Sequence, residues 1–273
     1  MARVGHAVQP RAVPCSFGLH RPLHCSDAVK SFSFPAALAT AIVVATMSLP
    51  ARVWGAGPTA AASADVTALQ ELLEGTAGRR ETWKSAPELV ILTSVMTYRT
   101  DGMQAGYAAT TETLTPTEIA ELSSDLTSAL QEWTAGHMAA FSSVRTLDLA
   151  PGATTTIFKR GQVTVGRFRG VQAVSGTLGY GGRSTSQGNI IAGAVILDRD
   201  FDRTSDRRPL LRMHELGHAL GYNHVQARPS VMNPRVGWGM TEFDRSAIKI
   251  AFASRPELPM PRSSASLAGL APN

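Results

Sequence analysis

The sequence predicts an α+β fold, with one twisted mixed sheet and about three helices. Three observations predict it. Apolar runs of β-favouring residues recur between Pro87 and Leu197, and a helical apolar pattern covers residues 115–137. A second helical pattern, over 205–223, carries two histidines four residues apart. The order strand, helix, several strands, helix is that of a sheet with its helices segregated from it. A chain of 273 residues with 44% apolar and only 17% charged residues has the material for one substantial core. Extensive disorder is excluded by the same composition.

The elements follow in chain order. Residues 1–56 hold Arg3, Arg11, Arg21, Lys30 and Arg52 against Asp27 alone, so +4 of the formal +5 lies in this leader. The apolar run "FPAALATAIVVATMSL" and the small residues of "ARVWGAGPTAAASA" follow Lys30, the pattern of a secretory signal with a long positive region. The run is short against the about 20 residues of a membrane span, and an uncleaved N-terminal membrane anchor is the alternative. Cleavage near Gly55 or Ala56 would leave a secreted or extracytoplasmic protein. It would be without cysteine, because Cys15 and Cys25 both precede the cut. The rest of the chain carries only +1, which gives no case for a nucleic-acid partner or for stable membrane association after signal cleavage. A monomer is expected.

Residues 57–85 read as a linker or short pro-segment with one short helical pattern, "DVTALQELLEG". Arg79-Arg80 reads as an exposed pair that a protease could cut, or as part of an ordinary solvated linker. A single domain is expected over 86–255. "PELVILTSVMTYR" reads as a strand. Thr115 or Thr117 caps the next helix, Pro116 suits its first turn, and Ile119, Leu122, Leu126, Leu130 and Trp133 form its apolar face up to Gly136. Strands follow over 143–149, 154–158, 162–168 and 190–197. The glycine-rich "SGTLGYGGRSTSQGN" between two of them is too long for a two-residue hairpin turn and reads as a loop, either functional or a mobile surface connection. Residues 256–273 have the Pro/Ser/Ala composition of a disordered tail.

The chemistry concentrates in "MHELGHALGYNH", Met213 to His224. On a helix starting near Ser205 or Asp206, His214 and His218 project from one face a turn apart. Two imidazoles so placed can reach one tetrahedral ion at about 2.0 to 2.1 Å. Gly221 suits the left-handed residue that ends a helix, so the chain can double back and offer His224 as a third ligand. Three neutral histidines leave a fourth zinc position open, which distinguishes a catalytic from a structural site. Glu215 is then placed as general base beside that position. A chance match to the extended pattern is on the order of 10⁻⁵.

"HELGHALGYNH" followed by "SVMNP" resembles the metzincin metallopeptidases, whose pattern is HExxHxxGxxH and then a methionine-containing turn. By that resemblance Met232 floors the metal site without binding the ion; packing of a core methionine is the simpler reading of the same residue. The eight-residue spacing from His224 to Met232, and "TEFDRSAIKIAF" as a closing helix, are most similar to the matrixin group in a compact bacterial-type form. Asn223 and Val225 depart from that group's usual Asp and Ser on either side of the third histidine. No PRCGxPD-like segment is found, so cysteine-switch latency is not expected. His137 reads as a capped or solvated side chain at a helix end.

Asp198, Asp200, Asp202 and Asp206 could bind Ca2+ through oxygen ligands, or form a solvated charge network with Arg199 and Arg203. The resemblance implies that an extended substrate adds to an edge strand, part of Val174 to Tyr180, and that Pro234 to Trp238 wall the adjoining pocket. It implies a secreted zinc endopeptidase with one catalytic Zn2+. His214, His218 and His224 would hold the metal and Glu215 would serve as base for zinc-activated water. Gly221 and Met232 would support the site, and the substrate would be a protein or peptide. A narrow-specificity processing protease or peptidase-like toxin on the same site is a variant of that reading. The alternative from a different class is a catalytically silent, zinc-stabilised binding protein of the same fold.

Overall fold

A computed structural model of the chain describes residues 11–15, 60–75, 78, 80–235 and 237–253. The expected tail, and the expected signal apart from 11–15, lie outside the described residues. In chain order the elements are β1 Arg11–Cys15, α1 Ala60–Leu73, β2 Glu88–Leu92, β3 Ser94–Thr97, α2 Gly102–Ala105, β4 Tyr107–Thr113 and α3 Pro116–Trp133. There follow β5 Val144–Leu147, β6 Thr154–Thr155, β7 Gln162–Arg169, α4 Val171–Ser175, β8 Gly179–Ser186, β9 Asn189–Asp198, α5 Arg199–Thr204, α6 Arg208–Ala219 and α7 Glu242–Ala253.

The strands form one mixed sheet in the order β1-β8-β9-β7-β3-β4-β6, with β2 pairing β7 and β5. Strands β2, β3, β5, β7 and β9 pair in parallel, whereas β1, β8 and β4 join antiparallel to their neighbours. The run expected as one strand over 87–99 is two. β2 lies between β5 and β7 and β3 between β4 and β7, so the backbone changes neighbour at Thr93. β4, threonine-rich and alternately buried, went unread in the sequence.

The glycine-rich segment is the larger correction. Most of it is β8, paired with β9 from Gly179↔Leu197 to Ser186↔Asn189, and only Gln187 and Gly188 form the turn. Both have positive φ, 53° and 76°, as a two-residue hairpin with the right twist requires. Glycines at 179, 181 and 182 hid the strand, because they carry no side chains in which a period of two could be read.

The expected helices are α3, α6 and α7. Thr115 caps α3 through a full capping box with Glu118. The helical pattern in the expected linker is α1, whose Ala68, Leu72 and Leu73 are buried in the main core with residues of α3, α6 and α7. Its described part therefore packs as part of the fold and not as a free connector. Arg80, half-buried, lies over the rings of Phe252 and Tyr222 and donates to the Ala251 carbonyl, so it is an anchor and not the exposed half of a cleavage pair. The main core fills the helix-bearing face of the sheet. A second cluster, including Tyr107, Phe168, Val171 and Ile196, forms around β3, β4, β7 and β9.

Candidate active site

α6 starts at Arg208, after the sequence-based expectation, because Ser205 already ends α5 in an extended conformation. Pro209 stands in its first turn, where the missing N–H costs nothing. His214, Glu215 and His218 lie on α6 and are all fully buried. The helix ends at Ala219 and Gly221 has φ 108°, the left-handed region that reverses the chain. A Cβ on Gly221 would also stand 2.4 Å from the Glu81 carbonyl oxygen, so glycine is required there on two grounds.

The reversal brings His224 back to the two helical histidines. Imidazole Nε2 atoms of His214 and His218 stand 3.2 Å apart, and those of His218 and His224 also 3.2 Å. His214 Nδ1 donates to the Val231 carbonyl at 2.6 Å and His218 Nδ1 to the Tyr222 carbonyl at 2.9 Å. Those bonds fix the tautomer with the hydrogen on Nδ1, so Nε2 is the acceptor atom in both His214 and His218. Two acceptors at that distance repel unless a cation lies between them. A tetrahedral ion with ligands at about 2.05 Å has an edge of about 3.3 Å, close to both of these separations, and all three ligand atoms lie within 4.8 Å of one another. Burial pushes the His214 imidazole down to about 3 and His224 down to about 4, and holds His218 well below its usual value. All three are thus in the neutral form that ligates. Among the described residues they are the one cluster of His, Cys, Asp and Glu suited to hold a metal ion.

The surroundings fix the triad. Met232 is fully buried, and Gly217 on α6 packs so closely on it that a Cβ there would lie 2.8 Å from the sulfur and 2.9 Å from the Trp133 ring. Trp133 donates to the Met213 carbonyl at 2.8 Å and accepts at its own carbonyl from the Tyr222 hydroxyl at 2.6 Å. Buried Asp244 of α7 receives the amide of Val231, whose carbonyl holds His214. Asp244 also accepts from the Thr241 hydroxyl at 2.8 Å and donates its own amide to that hydroxyl at 3.2 Å, the reciprocal bonds of a helix cap. Its hold on the methionine turn has no local sequence signal. Val225, buried, donates its amide to the Met232 carbonyl at 2.9 Å, which suits an apolar residue after the third histidine.

Two arginines went unread. Arg212 of α6 is fully buried and meets both oxygens of Asp202, at 2.7 and 2.8 Å, and Asp125 at 2.7 Å. Arg167 of β7 joins Asp202 at 2.7 Å and Glu118 at 2.5 Å. The expected acidic cluster therefore does not converge as an oxygen cage. Asp202 serves these arginines, Asp198 caps α5, Asp200 pairs with Arg199, and Asp206 is exposed. It is a charge network, but one that is buried at Asp202 and not solvated throughout.

β8 lies directly against α6. A Cβ on Gly181 would stand 2.1 Å from the Glu215 carbonyl oxygen and one on Gly179 2.6 Å from Glu215 Oε1. Of the segment expected to pair with substrate, Val174 and Ser175 belong to α4, and only Gly179 and Tyr180 lie on the strand. Trp238, expected to wall the pocket, is exposed. His137 is exposed and stacks on Phe252 with ring centroids 4.7 Å apart.

The family model for matrixin matches residues 99–251, from just beyond β3 into α7. No curated protein matches the chain.

Proposed function

The chain belongs to the matrixin family of zinc metallopeptidases, and from that premise we propose that it is a secreted zinc-dependent endopeptidase whose metal is held by His214, His218 and His224. The observation that carries the reading is the convergence of three neutral imidazoles, two fully buried and His224 half-buried, with two Nε2–Nε2 separations at a tetrahedral edge length and Glu215 on the same helical turn. When bound, zinc supplies Lewis acidity, lowering the pKa of water at the site and polarising the scissile carbonyl.

The remaining chemistry falls to the chain's own groups. Glu215, next to His214, takes the proton from the attacking water and later delivers it to the leaving amine. Val231 and Tyr222 hold the two helical imidazoles in the ligating tautomer through their carbonyls. Met232 and Gly217 give the site an apolar floor that keeps it rigid. An extended peptide adds to the outer edge of β8, its backbone pairing with Gly179 to Arg183. That the chain's own Arg11–Cys15 lies antiparallel along this edge supports an edge able to accept an extended strand. The basic leader and its apolar run support export.

A catalytically silent binding protein would have no use for the carboxylate at 215, which is intact. Metal content of the purified chain, measured together with cleavage of a broad peptide library, tests the reading. One zinc per chain with internal cleavage is expected; one zinc with no cleavage anywhere in the library favours the binding protein.

A further inference from the structure

The described residues between 65 and 83 precede the family-matched segment, yet they bond to the turn that carries His224 on both sides of that histidine. Asn223 donates its backbone amide to the Leu72 carbonyl at 2.9 Å and its side-chain amide to the Glu74 carbonyl at 2.6 Å. Its side-chain oxygen accepts from Arg183 at 3.0 Å. Two residues beyond His224, the amides of Gln226 and Ala227 converge on one carboxylate oxygen of Glu71, at 2.8 and 3.1 Å. Asp65 pairs with Arg228. On the other side of the turn, Trp83 Nε1 donates to the Ala219 carbonyl at 3.0 Å, and Glu81 forms a buried ion pair with Arg183, which also reaches the His218 carbonyl.

The third ligand differs from the other two in what holds it. His214 and His218 are carried by the hydrogen-bonded frame of α6, whereas His224 sits on irregular backbone. The backbone on either side of it is bonded to α1, at the Leu72 carbonyl before it and the Glu71 carboxylate after it. Asn223 makes sense of its departure from the family's aspartate in the same terms. It both donates to a carbonyl and accepts from a guanidinium, and a carboxylate in its place could do only the second.

We propose that the described residues between 65 and 83 are a positioning clasp for the third-ligand turn, with Glu71 and Asn223 its principal contacts, so that the working enzyme retains this segment and does not shed it as a pro-segment. The proposal rests on the metallopeptidase reading for its functional meaning, but its structural content does not. The clasp sets where the third imidazole stands, and so governs how long the site keeps its metal. Partners that orient ligands are typically worth about 10- to 100-fold in metal affinity.

The test compares the full chain with Glu71→Ala and Glu71→Gln, and uses three readouts: the rate of zinc loss to a chelator, hydrogen exchange of residues 221–227 in the metal-free protein, and thermal unfolding. Glu71 is half-buried on the surface of α1, so both variants fold. Glu71→Ala is expected to lose zinc about tenfold faster, with faster exchange at Asn223 to Val225 and unchanged exchange inside α6. Glu71→Gln, which keeps an oxygen acceptor, is expected to stay within about twofold of wild type. A lowered melting temperature with unchanged zinc loss would mean a merely structural contact and overturn the proposal. If the wild type holds no zinc, the metallopeptidase reading fails and exchange alone decides the clasp: unchanged exchange at 223–225 in Glu71→Ala overturns it. Intact mass of the active enzyme is a further check, since an active form beginning after Trp83 contradicts the clasp outright.

Discussion

Gly179 lies so close to Glu215 that a Cβ on it would stand 2.6 Å from the carboxylate Oε1 and 3.0 Å from Cγ and Cδ. The strand that borders the site is thus glycine where it crosses the proposed general base. Gly179→Ala is expected to displace the Glu215 side chain while leaving the histidines in place. Misplacement of a catalytic group by about 1 Å can cost about 10²-fold in rate, so kcat/KM should fall by about that factor with zinc content unchanged. Activity equal to wild type in that variant would show that β8 does not constrain Glu215.

Arg212 and Asp202 form a buried pair that ties α6 to β7 and α3 through Arg167 and Asp125. Removing one partner leaves a carboxylate buried with half its compensation, which typically costs about 3–5 kcal/mol. Arg212→Met should therefore lower the unfolding free energy by about that amount in a denaturant titration. A loss below about 1 kcal/mol would show that water reaches Asp202 once the guanidinium is gone.

Acid sensitivity of the metal-free protein follows from the histidines. Burial holds His214 at about 3 and His224 at about 4 in the folded state, against 6.5 in the unfolded chain. Between those values the unfolded state binds more protons, so stability is fully present above about pH 6.5 and falls as pH drops towards 4. The slope is about 1.4 kcal/mol per pH unit for fully buried His214 and smaller for half-buried His224, where solvent screens the effect. Glu118 acts in a lower window. Burial pushes its carboxyl up, but bonds from Thr115 and Arg167 outweigh this and hold it at about 2, so its contribution is lost only below about pH 4.5. Melting temperatures of the metal-free chain measured at pH 7, 6 and 5 should decline steadily, and a flat profile over that range would contradict the neutral state of the triad.

How much of this was legible in the sequence depended on whether the signal was local. The zinc pattern was, because helical spacing places His214 and His218 and a glycine at 221 permits the return of His224. α3 was legible through its cap and apolar spacing, and α7 through its likeness to the closing helix of the matrixin group. β8 was not, because its glycines serve close contact with α6 and leave no alternation to read. The Arg212, Asp202 and Arg167 network was hidden for a different reason: its members are separated by 10 to 45 residues and meet only once α6, α5 and β7 are assembled. The same holds for Glu71 and Gln226, 155 residues apart. Composition alone made residues 57–85 look like a connector, and burial of Leu72 and Leu73 makes their described part a piece of the core.

The most direct test of the central claim is proteolysis by Glu215→Ala compared with wild type, both loaded with zinc and with bound metal measured in each. The account predicts that the variant keeps one zinc and its fold, while cleavage of casein or a peptide library falls by at least about 10²-fold, the lower range for loss of a general base. Undiminished cleavage by a zinc-loaded Glu215→Ala would contradict it.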